Sequence, residues 1–211
     1  MKIYVNGCSH TAGHCVDEAH TWPQMLARPI KNCKLTNDSK VGASNDYIFH
    51  KSLETITELI SSNKKPDLVI IQWSSPNRRT HCMPDEKIVF VNPADYTEYH
   101  LKFEPMGSMH TLHYMFCMQE FLKNNDINYL FFNYMDLDKS IKKLSIYNMI
   151  DWDKFLKFDI GDDIIFKGMM DYMMDNKMNC FKEDGHPNKL GNSYITKHII
   201  KKLGITSLYS L

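Results

Sequence analysis

The sequence predicts an α/β fold, a three-layer sandwich with a mostly parallel sheet. Three observations carry the prediction. Short apolar runs at residues 2–6, 67–73 and 127–132 lack polar alternation, the pattern of strands covered on both faces. Segments with helical spacing of apolar residues stand between and after them. Strands that alternate with helices make a sheet with helices on its faces.

Residues 2–6, Lys2-Ile3-Tyr4-Val5-Asn6, form the first expected strand. Around Thr21-Trp22-Pro23-Gln24-Met25-Leu26-Ala27, Thr21 can cap a helix and Pro23 suits its first turn. From Tyr47 to Leu59, Ile48, Leu53 and Ile56, with Ile60 beyond, make a helical stripe. Asp67 to Trp73 follows Lys64-Lys65-Pro66 and suits a buried parallel strand. Met109 to Leu122 is a helix rich in Met, Phe and Leu, and Ile127 to Phe132 is the next strand. The stretch Met169 to Met174 is an adaptable apolar helix face rather than a copper box. Lys189 to Leu203 closes the chain as a helix with Tyr194, Ile195, Ile199, Ile200 and Leu203 inward. Residues 76–107 and 136–165 are expected as irregular loops that shape a pocket.

Ligands in such folds gather beyond the carboxyl ends of the strands. Ser9 follows the first strand there, in Gly7-Cys8-Ser9-His10-Thr11, and Gln72 to Asn77 follows another. Near the C-terminus, Glu183-Asp184-Gly185-His186-Pro187-Asn188 sets two carboxylates and a histidine before a helix. A hydroxyl is a poor nucleophile at neutral pH. It needs a base to take its proton and an acid to orient that base. These segments supply Ser9, His186 and either Asp184 or Glu183, so the chain reads as a serine hydrolase. Each has a plainer reading: Ser9 as a helix cap, His186 as a turn residue capping the last helix, and the two acids as a solvated turn.

Gly7-Cys8-Ser9-His10-Thr11 resembles the first block of the SGNH, or GDSL-type, hydrolases, Gly-Asp-Ser-x-Thr. Asp184-Gly185-His186-Pro187 is similar to their last block, Asp-x-x-His-Pro, and Val41-Gly42-Ala43-Ser44-Asn45-Asp46 to the second. The order and spread of the blocks cover nearly the whole chain. The resemblance implies a flavodoxin-like SGNH fold over residues 1–211, as one domain, and a serine esterase working through an acyl-enzyme. It makes Ser9 the nucleophile and gives the oxyanion N–H donors to Ser9 and Gly42. Cys8 stands where the family has aspartate. The family acid lies three residues before the histidine, at Glu183; Asp184 is two before and has the shorter side chain. The family's third block, Gly-x-Asn-Asp, is altered: its asparagine falls on Pro76, leaving Asn45 and Asn77 as side-chain donors. Gly42 can equally be a turn glycine, and Asn45 a helix cap. Trp73 and Arg78 read as pocket wall, for a sugar or acyl group and for an anionic substrate; the plain reading is core packing and a solvated loop.

The 211 residues suffice for one sizeable core. With 25 basic and 25 acidic residues there is no electrostatic case for nucleic acid or an anionic membrane surface. No run reaches the ~18 apolar residues of a membrane span. The start lacks the pattern of a secretory signal, and the six scattered cysteines read as free thiols. A reducing compartment such as the cytoplasm, or carriage on a particle, is expected. Cys8, His10, His14 and Cys15 lie close together but match no standard zinc spacing, so neither metal nor cofactor is expected. The expected substrate is a small-molecule or carbohydrate ester, O-acetylated carbohydrate being common in the family. The rival is a non-catalytic carbohydrate-binding or structural protein on the same fold.

Overall fold

Strands without polar alternation need cover on both faces, and the chain provides it with two helical layers. The computed structural model describes residues 1–82, 88–91, 104–158, 168–175 and 178–205. In chain order the elements are β1 (Lys2–Asn6), α1 (Ser9–Ala12), α2 (Trp22–Ala27), β2 (Lys34–Asn37), α3 (Asn45–Ser61), β3 (Leu68–Trp73), β4 (Arg79–Cys82), β5 (Ile88–Val91), α4 (Glu104–Asn124), β6 (Asn128–Asn133), α5 (Met169–Asp175) and α6 (Lys189–Leu203). Short 3₁₀ turns at Lys139–Lys143, Ser145–Met149 and Trp152–Lys154 follow β6.

The main sheet runs in the order β2-β1-β3-β6, all parallel. Ile3 pairs with Leu68 and Val5 with Ile70, while Leu68 pairs with Asn128 and Trp73 with Asn133. Every residue of β3 is buried, as expected for the middle of a doubly covered sheet. Helices lie on both sides: α2 packs with α6, and α3 with α4. Trp22 of α2 is fully buried and meets Phe132 of β6 edge-on at 5.7 Å. Truncating either to alanine would cost about 3–5 kcal/mol, the usual penalty for a large aromatic core cavity.

Three features depart from the sequence reading, the first being β2 at Lys34–Asn37, where no strand is expected. Residues 76–107 are not all irregular, since β4 and β5 form an antiparallel hairpin with Arg79 opposite Val91 and Cys82 opposite Ile88. Strands of four residues that pair with each other, and with no other strand among the described residues, carry no long apolar run to announce them. Thr21 precedes α2, with Pro23 in its first turn, but its hydroxyl bonds the Glu18 carbonyl at 2.8 Å and does not cap. The loop expected at 136–165 holds the 3₁₀ turns, and residues 83–87, 92–103 and 159–167 lie outside the described residues. No helix among the described residues is long and apolar enough to cross a membrane.

Candidate active site

The turn after β1 is shaped by close packing. A Cβ on Gly7 would fall 2.4 Å from Thr11 Oγ1 and 3.0 Å from Gln72 Cβ, so only glycine lets the chain pass β3 here. The Gly7 N–H donates to Asn6 Oδ1 at 2.7 Å, and Thr11 donates to Gln72 Oε1 at 2.8 Å. The chain then enters α1 at Ser9. Ser9 is only 2% exposed, more enclosed than a surface turn.

The C-terminal segment comes to meet it. Lys182 N–H bonds the His186 carbonyl at 2.8 Å, and Gly185 N–H bonds the Lys182 carbonyl at 3.0 Å, closing a tight loop. Asn188, not His186, caps α6, accepting from the N–H groups of Leu190 and Gly191 at 2.9 and 3.1 Å. Asn192 on α6 accepts the Trp22 N–H at 2.9 Å and donates to the Pro187 carbonyl at 3.1 Å. The loop carrying His186 is thereby tied to the helical layer.

His186 Nε2 lies 2.9 Å from Ser9 Oγ. On the far side of the ring, Asp184 Oδ2 is 3.2 Å from Nδ1. That approach is off the line of a ring N–H, so it is a close electrostatic contact rather than an aligned hydrogen bond. Asp184 Oδ1 accepts the His186 backbone N–H at 3.0 Å, and Oδ2 accepts the Cys15 thiol at 3.3 Å. The His186 backbone N–H, then the Cys15 thiol, hold the Asp184 carboxyl down at about 2. Burial, then the neighbouring His10, press the His186 pKa below its ordinary value, while Asp184 opposes them. A neutral imidazole with its nitrogen on a hydroxyl is thus available at neutral pH. Glu183 is exposed, and its side chain has no contact with His186 among the described residues.

Gly42 adopts φ +82°, the left-handed conformation of its plain reading as a turn glycine. The Lys40 N–H bonds the Gly7 carbonyl at 3.1 Å, which lays this loop against the turn that carries Ser9. Neither Ser9 nor Gly42 N–H has a backbone acceptor among the described residues.

Two side-chain expectations change, and one plain reading falls. Asn45 is not a free donor. Its Nδ2 donates to the Ser74 carbonyl at 3.2 Å and to Thr111 Oγ1 at 2.9 Å, and its Oδ1 accepts the Ser74 N–H at 2.6 Å. It is 3% exposed, and it follows Ser44, which is the N-cap of α3. Trp73 is no pocket wall: it has zero exposure and packs edge-on against Phe131 at 5.7 Å. Arg78 is more than a solvated loop residue. Its guanidinium donates to Ser74 Oγ at 3.0 Å and lies 5.9 Å from the Tyr134 ring, with Nε buried and unpartnered among the described residues. Asn77 packs against the start of α4, where a Cβ on Gly107 would meet its Oδ1 at 2.4 Å.

Two neighbours of Ser9 and His186 carry no catalytic role in the sequence reading. His10 is buried, with Nδ1 3.4 Å from Ser9 Oγ and 3.7 Å from Cys8 Sγ. Its ring lies 4.0 Å from Tyr134 and 4.9 Å from His186. Tyr134 directly follows β6, so the rule that points to carboxyl ends of strands would have found it. Burial raises its phenol to about 12, which keeps it neutral. Burial favours a neutral Cys8 thiol, but the hydrogen bond and charge of His10 outweigh it and bring Cys8 down to about 6. A 430 Å³ cavity walled by Phe158, Tyr172, His198 and Lys201, and a 140 Å³ cavity at Lys2, Lys34 and Lys64, have no lining from Ser9, Asp184 or His186.

No family model matches the sequence, and no curated protein does. Solved structures do match. The psychrotrophic esterase EstA from Pseudoalteromonas sp., in a structure inhibited by monoethylphosphonate, aligns with TM-score 0.59 at 12% identity over 97% of both chains. A member of the lipolytic protein G-D-S-L family from Veillonella parvula DSM 2008 aligns with TM-score 0.52 at 12% identity, covering 95% of this chain and 97% of its own. A GDSL-like lipase from Bacteroides thetaiotaomicron VPI-5482 gives 0.52 at 15% identity, covering 97% and 87%. The parallel sheet, the helices on both faces and these full-length alignments give the chain the fold of the GDSL-type, or SGNH, hydrolases.

Proposed function

We propose that the protein is a serine esterase of SGNH type. Ser9 Oγ attacks the carbonyl carbon of an ester while His186 Nε2 accepts its proton. Asp184 orients the ring and offsets the positive charge that forms on it. The carbonyl oxygen becomes an oxyanion, and the N–H groups of Ser9 and Gly42 donate to it. His186 then returns the proton to the leaving alcohol, the acyl group remains on Ser9, and water activated by the same imidazole releases it. The observation that carries this reading is the 2.9 Å approach of His186 Nε2 to Ser9 Oγ, with a carboxylate against the other ring nitrogen.

Asn45 is committed to Ser74 and Thr111, so the side-chain donor of the oxyanion hole is not Asn45. Asn77 remains in that role beside the backbone donors. Arg78, whose buried Nε has no partner among the described residues, supports a substrate with negative charge or carbonyl oxygens near the scissile bond. The substrate class is a carboxylic ester of a small molecule or carbohydrate. The named activities of the structural neighbours, an esterase and a lipase, agree with ester hydrolysis. Turnover of a short-chain nitrophenyl ester, abolished by Ser9→Ala, tests the proposal. A folded protein with no turnover against a panel of acyl esters would favour the non-catalytic binding reading.

A further inference from the structure

The loop that carries His186 also brings together a set of metal-ligating atoms that catalysis does not need in full. His14, Asp184 and His186 each offer one ligand atom, and the three atoms lie within 4.8 Å of one another. We propose that these residues form an inhibitory site for a zinc-like divalent transition metal, which switches the esterase off by capturing its base.

The distances suit such an ion. Zinc bonds nitrogen and carboxylate oxygen at about 2.0–2.2 Å in tetrahedral geometry, so ligand atoms stand roughly 3.3 Å apart. Asp184 Oδ2 and His186 Nδ1 are already 3.2 Å apart. Nδ1 is buried and unmatched by any aligned hydrogen bond among the described residues, so its lone pair can be recruited without breaking one. Asp184 keeps its Oδ1 on the His186 backbone N–H, which leaves Oδ2 to the metal once the Cys15 thiol yields. His14 stands edge-on to the His186 ring at 4.7 Å and is exposed, so it closes the remaining gap by side-chain rotation without repacking a core. Two imidazoles and a carboxylate are borderline ligands that select zinc, copper or nickel over magnesium and calcium. The fourth position is left to water.

The inhibition follows from the tautomer. A neutral imidazole has one N–H and one lone pair. With the metal on the Nδ1 lone pair, the proton sits on Nε2, facing Ser9. Nε2 then donates to the hydroxyl and cannot accept its proton. The carboxylate that would stabilise the charged ring is spent on the metal as well. No bond of the substrate changes; metal-bound waters leave as the three ligands enter.

The inference about inhibition rests on the proposed esterase chemistry, whereas binding does not, and the experiment separates them. Zinc alone is titrated by calorimetry into Ser9→Ala protein, which is independent of turnover. The expected result is one zinc per chain, with affinity lowered at least about tenfold by an added His14→Ala or His14→Asn. In parallel, ester turnover of the otherwise native protein should fall with zinc and recover with chelator, and the two His14 variants should keep their metal-free rate yet need at least about tenfold more zinc for the same inhibition. Equal zinc binding with and without His14, no stoichiometric binding, or activation by zinc would each overturn the site. Absence of turnover with stoichiometric, His14-dependent binding would overturn the esterase reading and the switch, while leaving the metal site standing.

Discussion

Replacing Asn45 with alanine should damage the fold far more than the chemistry. The Asn45 amide makes three hydrogen bonds, two of them to the backbone of Ser74 and one to Thr111. Ser74 and Thr111 are each 1% exposed, so water does not readily replace the amide. An orphaned buried polar group costs about 1–3 kcal/mol. The Ser74 N–H bears that in full; its carbonyl, with a second lone pair, bears less. The total is about 2–4 kcal/mol, a large share of the roughly 5–15 kcal/mol that holds a typical domain folded. In a chain of this length that lowers the melting temperature by roughly 4–16 °C. Urea unfolding followed by tryptophan fluorescence reads it as a lower midpoint with an unchanged slope. Initial rates per folded molecule should fall by less than about tenfold, because a donor that acts on the transition state lowers kcat itself. Stability within about 0.5 kcal/mol of the native protein together with a ~10²-fold loss of kcat would refute the reasoning, for that is the signature of an oxyanion donor.

Asp184→Asn should lower kcat/KM by about 10²-fold, the low end for a triad acid because this carboxylate is exposed to water and approaches Nδ1 off axis, while Glu183→Gln should stay within about twofold; equal losses in steady-state assays would reverse the assignment. The rate should rise with pH as His186 loses its proton, with a midpoint below the ordinary ~6.5 because burial and His10 disfavour the charged ring; a pH–rate profile with a higher midpoint contradicts this. The ultraviolet absorbance of the Cys8 thiolate should titrate near about 6, and His10→Ala should move it upward. Since that folded value is depressed, the stability gained from the Cys8–His10 pair is full above the ordinary thiol pKa and is lost as pH falls through about 6, which denaturant melts across pH will read.

The legible parts of this chain are those whose cause is local. β1 and β3 announce themselves because both faces are covered, and α6 because its inward stripe sits in one stretch of sequence; its cap, Asn188 in place of His186, emerges only from the structure. β2, Lys34–Asn37, contains a single apolar residue and joins the sheet through backbone pairing with β1, so no side-chain pattern marks it. Ser9, His186 and the pair Asp184 or Glu183 stand out from turn chemistry at the two ends; the geometry, with Asp184 Oδ2 3.2 Å from Nδ1, favours Asp184. Their juxtaposition depends on parallel order in the sheet and on the Asn192 tie between α6 and α2. Neither reading of Asn45, as donor or as cap, fits, because its partners stand 29 and 66 residues away and Ser44 is the cap. The pocket-wall reading of Trp73 fails and its plain reading as core packing holds, because β6, which buries it, lies far along the chain. Arg78 and His10 gain meaning only from Tyr134, which the fold brings to the same end of the sheet.

The most direct test of the account is covalent. Incubation with an ethylphosphonate ester probe, the chemistry that inhibits the structural neighbour EstA, followed by peptide mass spectrometry, should find one adduct per chain, on Ser9. His186→Ala should slow its formation by about 10³-fold or more, since the hydroxyl then lacks its base. Labelling at another residue, or labelling of Ser9 at an undiminished rate without His186, would contradict the claim that the 2.9 Å contact between Ser9 and His186 is a nucleophile and its base.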